Sequence, residues 1–306
     1  MYTENNIQDT HQGLEVQNDN SEIIRYNVPA MPVYTDKAMF SLDYGFSHES
    51  HWHNDIEFGL ITQGELQFNI NGNDINLKKG EGVFINSKQI HHAFSTGKCE
   101  WEGVCLIFSP LILCTNEHIE RELINPVINN HNFPYAILSD KVEWCKEVFG
   151  IVCETHEIYA NKKDTKTFPL EIQSLVCRLW GLLYNNMPQK NDSDDSCDYN
   201  IIILKKMISF IHSHYTQKIS LSDICSAGSV CRSKCGILFK RYLHKTPIDY
   251  LTEHRLRKAA ALLTDTSEPL NEVAVCAGFT GASYFAEIFR RHYNCSPTEY
   301  RNQIAG

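Results

Sequence analysis

"RLRKAAALLTDTSEPLNEVAVCAGFTGASYFAEIFRRHYNCSPTEYR", residues 255–301, reads as helices broken by tight turns. Leu256, Ala259, Ala260 and Leu263 recur at helical spacing. "LNEVAVCAGF" gives a short helix that ends at Gly278-Phe279. "ASYFAEIFRRHY" gives another, anchored by Tyr284, Phe285, Ile288 and Phe289. A short helix, a tight turn and a second helix with one outward face make a helix–turn–helix. Working back toward the N-terminus, the pattern recurs. "LSDICSAG" and "SKCGILFKRYL" flank Gly228, with Ile224-Cys225 and Leu238-Phe239 facing inward. Pro247 opens the long helix that joins the copies, a position where proline is tolerated, and Leu251 extends that helix's apolar side. One copy matches any helical hairpin; two copies at near-equal spacing are far more specific.

Charge agrees once it is divided along the chain. The net −9 hides 14 Lys+Arg against 8 Asp+Glu from Asn200 onward, a surplus of six that leaves −15 elsewhere. A basic segment on an acidic body suits a nucleic-acid partner. No apolar run approaches a bilayer's thickness. Residues 1–22 are polar and lack the pattern of a secretion signal, so a flexible tail and a cytoplasmic location are expected. Twelve cysteines scattered through apolar runs read as buried thiols in a reducing compartment. Cys225, Cys231 and Cys235 lack an evident fourth zinc ligand, which favours a structural role.

This C-terminal third resembles AraC/XylS-family transcription regulators. It carries R-L-x-x-A-x-x-L-L at Arg255 to Leu263, G-F at Gly278, Y-F at Tyr284 and S-P-x-x-Y-R at Ser296 to Arg301. The resemblance implies two helix–turn–helix subdomains over 200–306, reading successive major grooves of promoter DNA. Carried over by position, the first reading helix starts near Cys231, a poor cap, with Ser229 the alternative. Its outward positions are Arg232, Ser233, Gly236 and Ile237. The second helix presents Ala282, Ser283 and Glu287. Few of these can hydrogen-bond a base edge, so Lys234, Lys240, Arg241 and Arg290 are expected to supply phosphate contacts.

Residues 23–110 have a different grammar. "IEFGLITQG", "ELQFNI", "INLKKG" and "GVFINS" are short strands, and Asn71-Gly72 is a hairpin signal. An antiparallel barrel or jelly roll follows, which makes the whole chain α+β. Within this region "HWHNDIE" invites a metal reading, since alternation along a strand would bring His51, His53 and Glu57 together. The spacing His51, His53, Glu57, Gly64 resembles the first cupin motif. The second motif is partial: Gly80 and His91 are in place, but Asn86 stands for its Pro and Lys88 for its Gly.

Three readings stay open at that cluster: internal hydrogen bonding, a divalent metal on His51, His53, Glu57 and His91, or a small-molecule pocket that also uses Trp52. Fusion to a DNA-binding segment favours the sensor, because binding energy alone can shift a conformational equilibrium. No cofactor is then required, and no catalysis. From 111 to 187 a helical stripe with Ile172, Leu175, Val176, Leu179, Leu182 and Leu183, and Val142 heading the preceding helix, suits packing on its own domain or a homodimer face; dimerisation is the expectation adopted. Residues 188–199 read as a solvated linker. The expected protein is therefore an effector-responsive regulator, a homodimer whose effector includes sugars among its candidates and which activates metabolic genes through RNA polymerase. The alternative is a metal-dependent cupin enzyme with an appended DNA-binding module.

Overall fold

The computed structural model describes residues 21–28, 31–40, 50–94, 100–187 and 199–305. The expected tail and linker lie outside these, apart from Ser21, Glu22 and Tyr199. The chain divides into two compact units, one spanning Ser21–Tyr199 and the other containing Asn200–Gly306.

Among the described residues of the first unit eight strands form two antiparallel sheets: β1 (Val33–Phe40), β2 (Ile56–Gln63), β3 (Glu65–Ile70), β4 (Asn73–Lys78), β5 (Glu81–Ile85), β6 (His91–Phe94), β7 (Trp101–Phe108) and β8 (Tyr135–Ser139). One sheet runs β1-β7-β2-β5-β8 and the other β4-β3-β6. Between β7 and β8 the chain makes short helical turns that include α1 (Glu117–Ile119) and α2 (Asn125–Ile128); α3 (Glu143–Lys162) and α4 (Phe168–Asn186) follow β8.

Central strand β2 is buried on both faces. Ile56, Phe58 and Leu60 join Phe84, Leu106 and Phe108 in a core shared with α3 and α4. Ile61, Val83, Ile85 and Trp101 meet Leu66, Phe68, Ile70 and Leu77 of the smaller sheet. Side chains alternate along a strand, so Glu57 faces the space between the sheets.

A boundary near residue 110 does not exist in this unit. Strand β8 pairs with β5 from Glu81↔Ser139 to Ile85↔Tyr135. Asn86 adds a second tie, donating from Nδ2 to the carbonyls of Val127 (2.8 Å) and Phe133 (2.9 Å). The segment expected to be a separate dimerisation element therefore completes the barrel unit. Its apolar stripe is also accounted for: Ile172, Val176, Leu179 and Leu183 are buried in the shared core, with Leu175 and Leu182 packed against it. Val142, expected on the buried side, is 45% exposed. What a helix pair beside a sheet needs most is cover for the sheet's outer face, and this stripe supplies it.

The second unit is helical: α5 (Tyr199–His214), α6 (Leu221–Ala227), α7 (Arg232–Leu243), α8 (Pro247–Asp265), α9 (Leu270–Cys276), α10 (Ala282–Tyr293) and α11 (Pro297–Ala305). Helix α8 is the shared spine. Leu256, Ala259, Ala260 and Leu263 pack with Val273, Ala274, Phe279, Phe285 and Phe289 of the second copy. Each copy is followed by a left-handed residue, His244 or Asn294, and then by Thr246-Pro247 or Ser296-Pro297 opening the next helix. Thr246 Oγ1 accepts from Asp249 N (3.1 Å), and Ser296 Oγ from Glu299 N (3.2 Å).

The two turns differ in where the left-handed residue falls. In the second copy it is Gly278 (φ +84), whose added Cβ would lie 2.2 Å from the Tyr215 carbonyl oxygen. In the first copy it is Ser229 (φ 53), while Gly228 has an ordinary φ of −88. Gly228 matters for closeness instead, since a Cβ there would meet Met207 Cγ at 2.7 Å.

Candidate functional site

The stretch His51–Asp55 is not a continuous strand. His51 makes only an isolated bridge to His91, with reciprocal backbone bonds of 3.0 and 2.9 Å, and β2 begins at Ile56. The cluster assembles all the same. The backbone bridge brings His51 beside β6, Asn54–Asp55 bend the chain, and β2 delivers Glu57. One ligand atom from each of His51, His53, Glu57 and His91 can be chosen so that all lie within 4.8 Å of one another. His53, Glu57 and His91 are buried.

Glu57 Oε2 lies 3.0 Å from His91 Nε2 and 3.3 Å from His53 Nε2. On their far sides, His91 Nδ1 is 3.0 Å from the Gln89 carbonyl and His53 Nδ1 is 3.1 Å from the Asp55 carbonyl. A carbonyl can only accept, so each Nδ1 carries a hydrogen, and each Nε2 faces the carboxylate with a lone pair or a proton. Two lone pairs against a carboxylate repel unless a proton or cation stands between them. Burial pushes the Glu57 carboxyl up, but the charges and hydrogen bonds of His91 and His53 outweigh it and hold the group well below the usual range. Three nitrogens and one oxygen, with outer nitrogens oriented by acceptors, fit a first-row divalent metal.

Two departures from the cupin pattern are explained locally. Asn86 replaces proline and provides the ties described above. Lys88 replaces glycine at a position that is left-handed (φ 66), and its N–H donates to the His53 carbonyl at 2.8 Å. The cupin-like glycines are required: a Cβ on Gly64 (φ +70) would lie 2.0 Å from the Glu100 carbonyl oxygen.

Trp52, expected in the pocket, is buried, and its carbonyl accepts from Glu22 N (2.8 Å). Sequence reading missed several neighbours. Glu22 Oε2 lies 3.3 Å from His51 Nε2. Cys105 Sγ is 3.9 Å from Glu57 Oε1, and burial with the nearby Glu57, Asp36 and Glu22 charges pushes its thiol well up. Strand pairing sets Asp36 opposite Cys105 and Tyr34 opposite Ile107, in line with Gly59 and Glu57 of β2. The alternation of Tyr34 and Asp36 was the available signal.

In the helical unit, α7 starts after Cys231, whose side chain makes no capping bond; the alternative cap, Ser229, is the left-handed turn residue. Arg232, Ser233, Ile237, Lys240 and Arg241 are exposed, while Lys234 and Gly236 are half-buried. Arg232 Nη2 donates to Ser222 Oγ (2.8 Å), and Lys240 Nζ to the His244 carbonyl (3.3 Å). On α10, Ser283, Glu287 and Arg290 are exposed and Ala282 is half-buried. Glu287 pairs with Arg291 at 2.7 Å. Tyr284, expected to anchor this helix, is 50% exposed and shares the outward face; Phe285 and Phe289 do the anchoring. Among the described residues no helix is long and apolar enough to cross a membrane.

Comparison with known proteins matches both units. A helix-turn-helix domain model matches residues 225–303, and a cupin domain model residues 38–107. The uncharacterized HTH-type transcriptional regulator YdeC of Bacillus subtilis (strain 168) is 30% identical over 92% of this chain and 95% of its own length. The melibiose operon regulatory protein of Escherichia coli (strain K12) is 20% identical over 89% and 90%. The lactose operon transcription activator of Staphylococcus xylosus is 28% identical over 80% and 83%. The chain belongs to the AraC/XylS family of helix–turn–helix transcriptional regulators.

Proposed function

We propose that this regulator responds to a small molecule held at the His51/His53/Glu57/His91 centre, and that a divalent metal on those four residues takes part in holding it. The carrying observation is the orientation of His53 and His91, each fixed from behind by a backbone carbonyl and aimed at one buried carboxylate. Such support from behind is what metal-bound imidazoles need. Relatives named for melibiose and lactose operons support a sugar or related polyol as effector, and a role as activator of metabolic genes through RNA polymerase. On this proposal the protein is cytoplasmic and a homodimer, with a dimer face distinct from the buried Leu179 stripe. Catalysis is not needed, since effector binding alone can bias DNA affinity.

On the DNA side, Arg232, Ser233, Gly236, Ile237, Ala282, Ser283 and Glu287 face base edges, and Lys234, Lys240, Arg241 and Arg290 contact phosphates. The test is DNA affinity of the full chain, measured with and without melibiose, lactose and rhamnose, each with and without manganese, cobalt or zinc. A sugar-dependent change in affinity that vanishes in His53→Ala, with basal binding retained, supports the reading. Turnover of a sugar would favour the enzyme alternative. No response to any combination, with DNA bound throughout, would refute effector control by this class.

A further inference from the structure

The supports of the four-residue centre come partly from the first described segment, residues 21–28. Glu22 is pinned by its N–H to the Trp52 carbonyl and sets Oε2 3.3 Å from His51 Nε2. Tyr26 Oη donates to both carboxylate oxygens of Asp55, at 3.1 and 3.2 Å. The carbonyl of that same Asp55 orients His53. Asn27 clasps β1, accepting from Thr35 N (2.6 Å) and donating to the Thr35 carbonyl (3.2 Å). One short segment therefore touches the supports of two of the three imidazoles.

Resting on the metal reading above, we propose that Glu22 is a positioning residue for His51, and that occupancy of the centre is coupled to docking of residues 21–28. An imidazole bound to a cation through one nitrogen donates its other N–H more strongly. A carboxylate behind it is the strongest acceptor a side chain offers. Glu22 keeps the hydrogen on His51 Nε2, which assigns Nδ1 as the nitrogen that meets the ion. His53 and His91 use the opposite nitrogens. Because coupling is reciprocal, an ion that strengthens the Glu22 contact holds the segment down, and a released segment loosens the ion by the same factor.

The test uses the full chain and Co²⁺ alone, read by visible absorption and by hydrogen exchange over residues 21–28. Wild type is expected to bind one equivalent and to slow exchange in that segment. Glu22→Ala is expected to weaken Co²⁺ about 10–100-fold and to abolish the cobalt-dependent protection. Glu22→Gln, which keeps an acceptor without charge, should fall between. Tyr26→Phe, which leaves all four ligands and Glu22 in place, should reduce the protection too. If Glu22→Ala fails to fold by circular dichroism, the Gln and Tyr26 variants decide. Equal affinity and equal protection across the set would overturn the role of Glu22 while leaving the metal reading intact. A wild-type chain that binds no Co²⁺ would overturn both.

Discussion

Leu179→Ala separates the two uses that a helical leucine stripe can have. Leu179 is fully buried, in a core shared by α3, α4 and the five-stranded sheet. Truncating it leaves a cavity lined by side chains held in place by two helices and a sheet, so little relaxation is available. Leucine-to-alanine changes at such sites cost about 2–5 kcal/mol. Taking about 3 kcal/mol, and about 2–4 °C per kcal/mol for a unit of this size, the melting transition should fall by about 6–12 °C. Scanning calorimetry of the full chain at low and high protein concentration reads this directly. The loss should be the same at both, because the contact is within one chain, and sedimentation should show the same mass as wild type below the new transition. An unchanged melt together with dissociation to monomers would refute the intramolecular assignment.

Four further outcomes follow from particular contacts. Gly278→Ala should destabilise the helical unit by more than about 1 kcal/mol, since it meets both a positive φ and the Tyr215 carbonyl; Ser229→Gly should gain up to about 1 kcal/mol by relieving a left-handed serine. Thermal melts check both, and a neutral Gly278→Ala would contradict the turn geometry. The depressed Glu57 carboxyl should give acid sensitivity: its stabilisation is full above the unfolded value of about 4.3 and disappears as pH falls through the folded value, and Glu57→Gln should flatten that part of the pH–stability curve. Glu287→Ala should change stability by under about 1 kcal/mol, because its ion pair with Arg291 is well exposed. If Glu287 reads a base, the variant should instead relax preference at one base pair by about 1–3 kcal/mol; an equal shift for all sequences would assign Glu287 to the ion pair alone.

The helical unit was legible because its apolar residues recur at one period over long runs and its turns carry glycine. Its misreadings are local: Tyr284 fits the inward stripe by spacing yet is half exposed, and Gly228 looks like the turn residue although Ser229 takes the left-handed conformation. The cluster at His51, His53, Glu57 and His91 was legible from spacing, but not for the reason alternation suggested. A backbone bridge from His51 to His91 of β6 and a bend bring the residues together instead of a strand. Strand β8 was hidden because the partner that "YAILS" meets is the distant β5, and nothing local marks it. Glu22 was hidden more deeply. It sits in a polar stretch with no local signal, and its contacts with Trp52 and His51 are tertiary.

Selecting duplexes from a random pool with this chain at physiological salt shows whether one chain sets two unlike reading helices on DNA. The expected result is enrichment of a site with two non-identical sub-sites about one helical turn apart, ~34 Å centre to centre, whose affinity falls steeply with salt. Substituting Arg232 should blur one sub-site and leave the other intact. A pool that stays unenriched, or selected duplexes bound no better than bulk DNA, would contradict it.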